Sequence, residues 1–272
     1  MTKVANIENF KHVKVHISNR VATVTLDRPP VNALDSVAIR ELTAVFRTLG
    51  STTDASAIVL SAPGDRIFCA GIDLKDSSRR HARKLVDDDT TVDLLDPGAV
   101  IRECFWAIMD CPLPVIAAVN GKAIGAGLVL VACCDMIVAS KDATFSVPEI
   151  KAGVLGGARH LQRLVGPFKT RKMFFTGEPE PAEEFYRLGA IESVVEPQRL
   201  MDEALSLAGR IALNSPIGLR LGKESLTRVE DLSVKEGYRI EQEYTGRVTR
   251  YNDSAEARKA YLEKRDPEWS WT

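Results

Sequence analysis

The sequence carries a glycine-rich turn directly before an apolar stretch that is suited to a buried helix. The turn spans residues 120–127, and the apolar stretch runs from Leu128 to Cys134. Backbone N–H groups at the start of a helix have no partner within that helix, and they favour negative charge. The pattern therefore predicts a site that holds an oxyanion. Glu149, which follows Pro148, is the candidate base for such a site.

The glycine turn does not match the motifs of nucleotide-binding proteins. Gly121 and Lys122 are followed by alanine and lack the spacing of a P-loop, and the GAG run at 125–127 lacks the third glycine of a dinucleotide fingerprint. The G-x-S-x-G elbow of serine hydrolases is also missing from the sequence. A site whose N–H groups face a carbonyl oxygen is therefore the better interpretation.

Strand-like and helix-like segments alternate through the first two thirds of the chain, and helical patterns dominate the last quarter. We predict a hairpin over 12–26, strands over 57–60, 115–119 and 191–195, and a break at Gly166 and Pro167. A helix is predicted from Asp35 or Ser36 to about Leu49, with Val37 in its apolar stripe, and another over 97–111. C-terminal helices are predicted near 200–213, 216–228, 233–250 and 254–264. This order indicates an α/β core over residues 1–196 and a C-terminal helical module over residues 197–272.

Composition limits the class of protein. The chain has 272 residues, 45% of them hydrophobic, and a formal net charge of -1, which gives no global electrostatic footprint for nucleic acid or an anionic membrane. Its five cysteines form neither a CxxC pair nor a Cys/His metal spacing, so we expect reduced thiols and no metal site. Since no apolar run approaches the roughly 20 residues that span a bilayer, and the first residues do not form a signal-peptide pattern, we expect a cytoplasmic protein.

Five motifs together resemble the enoyl-CoA hydratase/isomerase (crotonase) family. They are FCAGIDLK at 68–75, PVIAAVNG at 114–121, GAG at 125–127, CD at 134–135 and FSVPE at 145–149. The resemblance extends from about residue 12 to residue 265. It implies a crotonase-like spiral of ββα units, an acyl-CoA substrate that brings coenzyme A with it, and no prosthetic group. It also implies a homotrimer or a dimer of trimers, in which the helical module covers the active site or a neighbouring subunit.

In the family that this chain resembles, two backbone N–H groups hold the oxygen of an acyl-CoA thioester. Carried over to this sequence, the donors are the N–H of Ile72 and the N–H of Ala126. Two donors in a dry site stabilise a developing enolate, and one such donor is typically worth about 3–4 kcal/mol. The alternative is that both glycine segments are only tight turns.

Hydratases of the family also use two glutamates around one water. Glu149 matches the second, whereas Val129 occupies the position of the first. Valine neither orients water nor exchanges a proton, so ordinary two-glutamate hydration is in doubt while enolate chemistry is not. An apolar pocket formed by Val129 and Leu128 is expected to raise the pKa of Glu149. The alternative role of Glu149 is to brace the loop that follows it.

A single base beside an oxyanion hole is compatible with more than one activity. It can move an α-proton, which is double-bond isomerisation, or activate water for hydrolysis. Hydratase/isomerase chemistry on an unusual or bulky enoyl-CoA is the first interpretation. Hydrolysis of a carbon–carbon bond in a cyclic 3-oxoacyl-CoA is the second, because some ring-degrading bacterial members resemble this chain in keeping only the second glutamate. A non-catalytic acyl-CoA binder is the third.

His160 is the histidine nearest to these motifs in the sequence, at the glycine-rich entry to a helix. It could replace the missing acid or base, or it could cap or pack the helix. Asp135 is expected to be structural, and the neighbouring Cys133 and Cys134 are expected to lie in the core.

The remaining predicted positions concern the two ends of the ligand. The resemblance places adenine against Ala70, Asp73 and Leu74, and Arg66 and Lys75 flank this segment as possible phosphate ligands or as solvated surface charge. The acyl pocket is expected to involve Gly125, Val129 and Leu155, the charged segment 75–97, and the C-terminal helices. Trp269 and Trp271 are expected near an interface or the acyl pocket.

Overall fold

The computed structural model describes residues 10–75, 96 and 98–272. The strands are β1 (Val13–Ser18), β2 (Val21–Leu26), β3 (Ala57–Ser61), β4 (Ile67–Cys69), β5 (Val115–Val119), β6 (Lys122–Ile124), β7 (Met136–Ser140), β8 (Thr144–Ser146), β9 (Glu180–Pro181) and β10 (Ser193–Val195). The α-helices are α1 (Ser36–Ser51), α2 (Ala99–Met109), α3 (Ala126–Ala132), α4 (Ala158–Thr176), α5 (Ala182–Arg187), α6 (Leu200–Ala212), α7 (Pro216–Val229), α8 (Val234–Val248) and α9 (Asn252–Glu263). Nearly all of the charged segment predicted over 75–97 lies outside the described residues.

The described strands form two sheets that the chain visits in turn. The larger sheet has the order β1-β2-β3-β5-β7-β10, and the smaller has the order β4-β6-β8-β9. The β1–β2 pair is the predicted antiparallel hairpin, whereas β2, β3, β5, β7 and β10 are parallel neighbours. Each of the pairs β3–β4, β5–β6 and β7–β8 places one strand in each sheet, with a helix further along the chain. The predicted α/β class, built from ββα units, is confirmed.

The central strands of the larger sheet are buried on both faces, which is typical of parallel strands. Every residue of β3 and β5 is buried. Alternate residues face opposite ways, so that Ile58 and Leu60 join the main core while Ala57 and Val59 join a second cluster on the other face. Helix α6 contributes Leu200, Ala204, Ala208 and Ala212 to that second cluster. The predicted division at residue 196 therefore falls before a helix that packs on the core sheet, and a separate helical module stays a prediction.

Helix α1 begins where the sequence predicts. The Asp35 carboxylate accepts a hydrogen bond from the N–H of Ala38, which satisfies one of the free donors of the first turn. The buried face of α1 consists of Ala38, Ile39, Glu41, Leu42, Val45, Phe46 and Leu49. The prediction for Val37 was wrong, because Val37 is 38% exposed. It lies one residue, or about 100°, away from the stripe that starts at Ala38.

An ion pair between the buried Lys223 and the more exposed Asp135 joins α7 to the start of two core strands. Lys223 Nζ lies 2.7 Å from Asp135 Oδ2 and donates to the carbonyl oxygen of Leu113 at 3.0 Å. The same Asp135 oxygen accepts the N–H of Val115 at 2.7 Å. Asp135 is therefore structural, as predicted. All five cysteines are free and buried, and Cys133 and Cys134 belong to the main core.

The last residues fold back onto the C-terminal helices. Trp269 Nε1 donates to the carbonyl oxygen of Leu213 at 3.0 Å, and the Trp271 ring lies 4.6 Å from the guanidinium of Arg220. Both tryptophans thus pack within the chain, and their predicted place at an interface or acyl pocket stays a prediction. Among the described residues, no helix combines the length and apolarity needed to cross a membrane.

The carboxylate of Asp253 fastens this terminal segment to α9. Asp253 is 1% exposed, and its oxygens accept from the N–H of Ser270 at 2.7 Å, the hydroxyl of Ser270 at 2.9 Å and the N–H of Trp271 at 3.2 Å. We expect Asp253→Ala to lower the free energy of unfolding by about 1–3 kcal/mol, because three hydrogen bonds to a charged acceptor are lost. Urea unfolding checks this, with exposed Glu192→Ala as the control; an unchanged midpoint for Asp253→Ala would contradict it.

Candidate active site

The N–H of Ile72 is aimed by a short parallel bridge between Leu34 and Ile72. The N–H of Leu34 donates to the carbonyl of Gly71 at 2.7 Å, and the N–H of Asp73 donates to the carbonyl of Leu34 at 2.9 Å. In a trans peptide the C=O and N–H point in opposite directions. The N–H of Ile72, which shares its peptide group with the Gly71 carbonyl, therefore points away from Leu34. Among the described residues it meets no hydrogen-bond acceptor.

The N–H of Ala126 opens helix α3 and points out of its first turn. Gly125, the residue before it, has φ 54° and ψ -118°, a backbone conformation that essentially only glycine adopts. The N–H of Gly125 is held by the carbonyl of Ser146 at 2.8 Å, and its carbonyl accepts the N–H of Val129 at 3.1 Å. The N–H of Ala126 has no acceptor within the described part of the chain.

The two glycine segments meet. A Cβ placed on Gly71 would lie 2.9 Å from the carbonyl oxygen of Ile124 and 3.5 Å from the nitrogen of Ala126. Gly71 also has φ +90°, so both the conformation and the space at this position require glycine. The structure therefore brings the segment carrying the Ile72 N–H next to the segment carrying the Ala126 N–H.

Glu149 reaches this junction from a short 3-10 helix, Pro148–Ala152. A Cβ placed on Gly125 would lie only 2.5 Å from Glu149 Oε1. The other oxygen, Oε2, is buried and has no hydrogen-bond partner in the described residues. Burial raises the pKa of Glu149 above its ordinary value, although a bond from its own backbone N–H opposes this. The predicted direction of the pKa shift is confirmed.

Val129 forms an apolar wall beside the carboxylate. It is 3% exposed on helix α3. A Cβ placed on Gly157 would lie 3.1 Å from a methyl of Val147, 3.4 Å from a methyl of Val129 and 4.0 Å from Glu149 Oε1. Val129, at the position predicted for the first glutamate, and the carboxylate of Glu149 therefore border the same glycine. Among the described residues, the carboxylate of Glu149 thus lies beside the methyl groups of two valines.

This environment predicts a shifted pH dependence. A general base acts in its ionised form, so activity is lost as pH falls through its pKa. Because burial raises the pKa of Glu149, we expect the acid limb of the kcat/KM profile to lie at a higher pH than the titration of an ordinary glutamate. Steady-state rates across pH test this, with His160→Gln as the comparison. A limb that moves with His160 would contradict the assignment to Glu149.

His160 lies in the first turn of α4 and forms no hydrogen bond with Glu149. Its ring packs against Phe105 of α2, with 5.7 Å between ring centroids. Burial, with Arg159 and Arg163 nearby, lowers the pKa of His160 and favours the neutral ring. The packing role that the sequence left open fits this placement, and a catalytic role stays a prediction.

The predicted nucleotide-side residues follow the Ile72 segment. Arg66, Leu74 and Lys75 are exposed, and the half-buried Ala70 donates its N–H to the carbonyl of Val31. Asp73 is paired with Arg28, whose Nη2 lies 2.7 Å from Asp73 Oδ2. Sequence reasoning missed Arg28, which lies two residues after β2 and precedes two prolines. A cation at the end of a strand, just before a rigid turn, was the available signal.

Two further features are the side chain of Leu155 and a surface groove. Leu155 is 80% exposed in the single chain, so its predicted place in the acyl pocket needs a covering element. A groove of about 420 Å³ between α1 and α2, bordered by Arg47, Trp106 and Pro112, contains none of the predicted site residues. In the described residues, no group of three His, Cys, Asp or Glu side chains could hold a metal ion.

Comparison with known proteins relates this arrangement to one family. A family model described as enoyl-CoA hydratase/isomerase matches residues 16–271. The (7aS)-7a-methyl-1,5-dioxo-2,3,5,6,7,7a-hexahydro-1H-indene-carboxyl-CoA hydrolase of Mycobacterium tuberculosis is 36% identical over 90% of this chain and 95% of that protein. The carnitinyl-CoA dehydratase of Proteus mirabilis is 33% identical over 94% and 97%, respectively. A crystal structure of enoyl-CoA hydratase from Bacillus anthracis is 27% identical and superposes with a TM-score of 0.85 over 95% of this chain and 99% of that chain.

Proposed function

Because the chain belongs to the enoyl-CoA hydratase/isomerase family, whose members act on coenzyme A thioesters, we propose that it is an enolate-forming acyl-CoA enzyme with a single glutamate base. The thioester oxygen binds between the N–H groups of Ile72 and Ala126, and Glu149 exchanges the proton. Coenzyme A enters as part of the substrate, and its nucleotide end lies along Ala70, Asp73 and Leu74 with Arg66 and Lys75 beside it.

The observation that carries the proposal is the carboxylate of Glu149. It lies against Gly125, the residue before the Ala126 donor, and within the described part of the chain its Oε2 is buried without a partner. An unpaired buried carboxylate costs stability, so its retention beside two unpaired N–H groups favours a catalytic role over a bracing one. A non-catalytic binder needs the two N–H groups but has no use for the base.

The proton transfer balances with these groups alone. Glu149 takes the α-proton, and the electron pair of the C–H bond moves into the thioester, whose oxygen becomes the enolate oxygen. The two N–H groups stabilise that oxygen, each by about 3–4 kcal/mol. The protonated Glu149 then returns the proton to carbon. Return at a different carbon of an enoyl chain is double-bond isomerisation.

A second candidate reaction is hydrolysis of a carbon–carbon bond in a cyclic 3-oxoacyl-CoA. It is favoured by Val129, which leaves one carboxylate, and by the similarity to the hydrolase of Mycobacterium tuberculosis. Glu149 would take a proton from water while the hydroxide adds to the ring ketone. The bond to the α-carbon then breaks, its electron pair becomes the thioester enolate, and Glu149 protonates that carbon. The new end of the opened ring is a carboxylate.

A panel of linear, aromatic and fused-ring acyl-CoA esters in deuterated water tests the proposed function. Mass spectrometry records deuterium at the α-carbon and addition of water to cyclic 3-oxoacyl esters. Exchange by at least one ester supports enolate chemistry, and gain of one water with ring opening assigns the hydrolase. Tight binding of an ester without exchange or hydrolysis would contradict the proposal and identify a binder.

We also propose that the chain assembles as a homotrimer or a dimer of trimers. Large apolar side chains of the last helices are exposed in the single chain, among them Leu226, Val234, Tyr261 and Leu262. Covering such side chains is what an interface between subunits does. A monomer in light scattering at micromolar concentration would contradict this proposal.

A further inference from the structure

The side chain of Arg28 joins the two backbone segments, one around Leu34 and one around Ile72, whose pairing sets the direction of the Ile72 N–H. Its Nε donates to Asp35 Oδ2 at 2.9 Å, its Nη1 to the carbonyl of Ala33 at 3.0 Å, and its Nη2 to Asp73 Oδ2 at 2.7 Å. Ala33 and Asp35 flank Leu34, and Asp73 follows Ile72. One guanidinium therefore spans the Leu34–Ile72 bridge from both sides.

The bridge leaves little freedom to the Gly71–Ile72 peptide. The carbonyl of Gly71 accepts a hydrogen bond from the N–H of Leu34. Rotation of the Gly71–Ile72 peptide would break this bond and turn the Ile72 N–H away from its present direction. Gly71 has a positive φ and no side chain, so the backbone of this segment is by itself conformationally flexible. The stiffness must therefore come from what lies behind it, which is the segment from Arg28 to Asp35.

We infer that Arg28 is a positioning residue of the oxyanion hole, which holds the Ile72 N–H in register without touching the substrate. This inference rests on the proposed function. Asn32 supports the same segment, because its Nδ2 donates to the carbonyl of Phe68 at 3.1 Å and its Oδ1 accepts the N–H of Arg28 at 2.9 Å. The three partners of Arg28 lie in different directions around one plane, which suits a guanidinium and not a lysine ammonium.

The environment of Arg28 makes these bonds persistent. Side-chain exposures of the two ion pairs are 21% for Arg28, 16% for Asp35 and 20% for Asp73, so water screens them less than pairs at the surface. Burial opposes the charge, but hydrogen bonds with Asp73 and Asp35 outweigh it and raise the pKa of Arg28. Asp35 is itself fixed by the N–H of Ala38 at the start of α1. The hydrogen bonds of Arg28 are thereby anchored to the first turn of α1.

The test uses Arg28→Lys, which keeps the charge and loses the three-way geometry. The probe is 4-(dimethylamino)cinnamoyl-CoA, a conjugated thioester whose absorption moves to longer wavelength when hydrogen bonds polarise its carbonyl. At saturating probe, we expect a smaller shift for Arg28→Lys than for the unchanged protein. With the ester that exchanges fastest, we expect kcat to fall about 10- to 100-fold while KM changes less than about threefold.

Arg220→Lys is the matched control. Arg220 is also half-buried and also binds backbone carbonyls, those of Thr52 and Ala55, at a different place in the fold. Its replacement should lower the melting temperature and leave the absorption shift unchanged. Equal shifts for Arg28→Lys and the unchanged protein would overturn the inference and leave the proposed function standing. No shift and no α-proton exchange in the unchanged protein would overturn the proposed function, and the inference with it.

Discussion

Glu149→Gln is expected to reduce α-proton exchange by about 10²–10⁴-fold, the range that a positioned general base contributes. Glutamine keeps the size and shape of the side chain but cannot accept the proton. Because the substitution leaves unchanged the two N–H groups that we propose hold the ester, we expect the loss in kcat, with KM nearly unchanged. Deuterium incorporation measured by mass spectrometry at saturating ester gives the result directly.

Stability separates this loss of rate from a loss of structure. The folded-state pKa of Glu149 is raised by burial, so ionisation of this group opposes folding at neutral pH. The unchanged protein should therefore gain stability from this group as pH falls through the raised pKa, and Glu149→Gln should not. At pH 7 the variant should melt no lower than the unchanged protein. Exposed Glu192→Gln is the matched control, and full activity of Glu149→Gln would show that another group is the base.

Gly125→Ala is expected to lower kcat by about 10²–10³-fold, as large as the loss of one oxyanion donor. A Cβ at this position would lie 2.5 Å from Glu149 Oε1, so the carboxylate or the turn must move. The backbone conformation of Gly125 also disfavours any side chain, at a cost of about 1–3 kcal/mol. The backbone strain acts on the peptide that carries the Ala126 N–H. The contact with the new methyl group displaces either this peptide or the carboxylate of Glu149.

Two glycine variants distinguish these effects from general damage. Gly156→Ala adds a methyl near the same carboxylate, but its nearest neighbour is Glu149 Cγ at 3.7 Å, an ordinary contact. Gly189→Ala introduces a side chain at φ +84° with no atom within 4 Å, which isolates the cost of backbone strain. We expect both to retain exchange activity. If Gly125→Ala retained it as well, the proposed geometry around the Ala126 N–H would be wrong.

Local patterns in the sequence were sufficient for most of the secondary structure. The hairpin, the cap at Asp35, the strand at 115–119 and the break at Gly166 were predicted and are observed, because each depends on neighbouring residues alone. The family was identified from five motifs, because their residue types, order and spacing can be read directly from the sequence. Val37 was misplaced, since a helical pattern read without a partner surface does not fix the edge of the buried face.

The motifs in the sequence identified the family, and the resemblance, carried over residue by residue, nominated the Ile72 and Ala126 N–H donors and Glu149, because the motifs are visible in the order of residues. Only the tertiary structure decided that the Gly71 and Gly125 segments meet and that Glu149 Oε2 is buried with no hydrogen-bond partner among the residues described. It also decided that Arg28 clamps Asp35 and Asp73, which is 45 residues away from Arg28 in the chain. Contacts between distant segments depend on how the sheets and helices pack, and no local pattern specifies them.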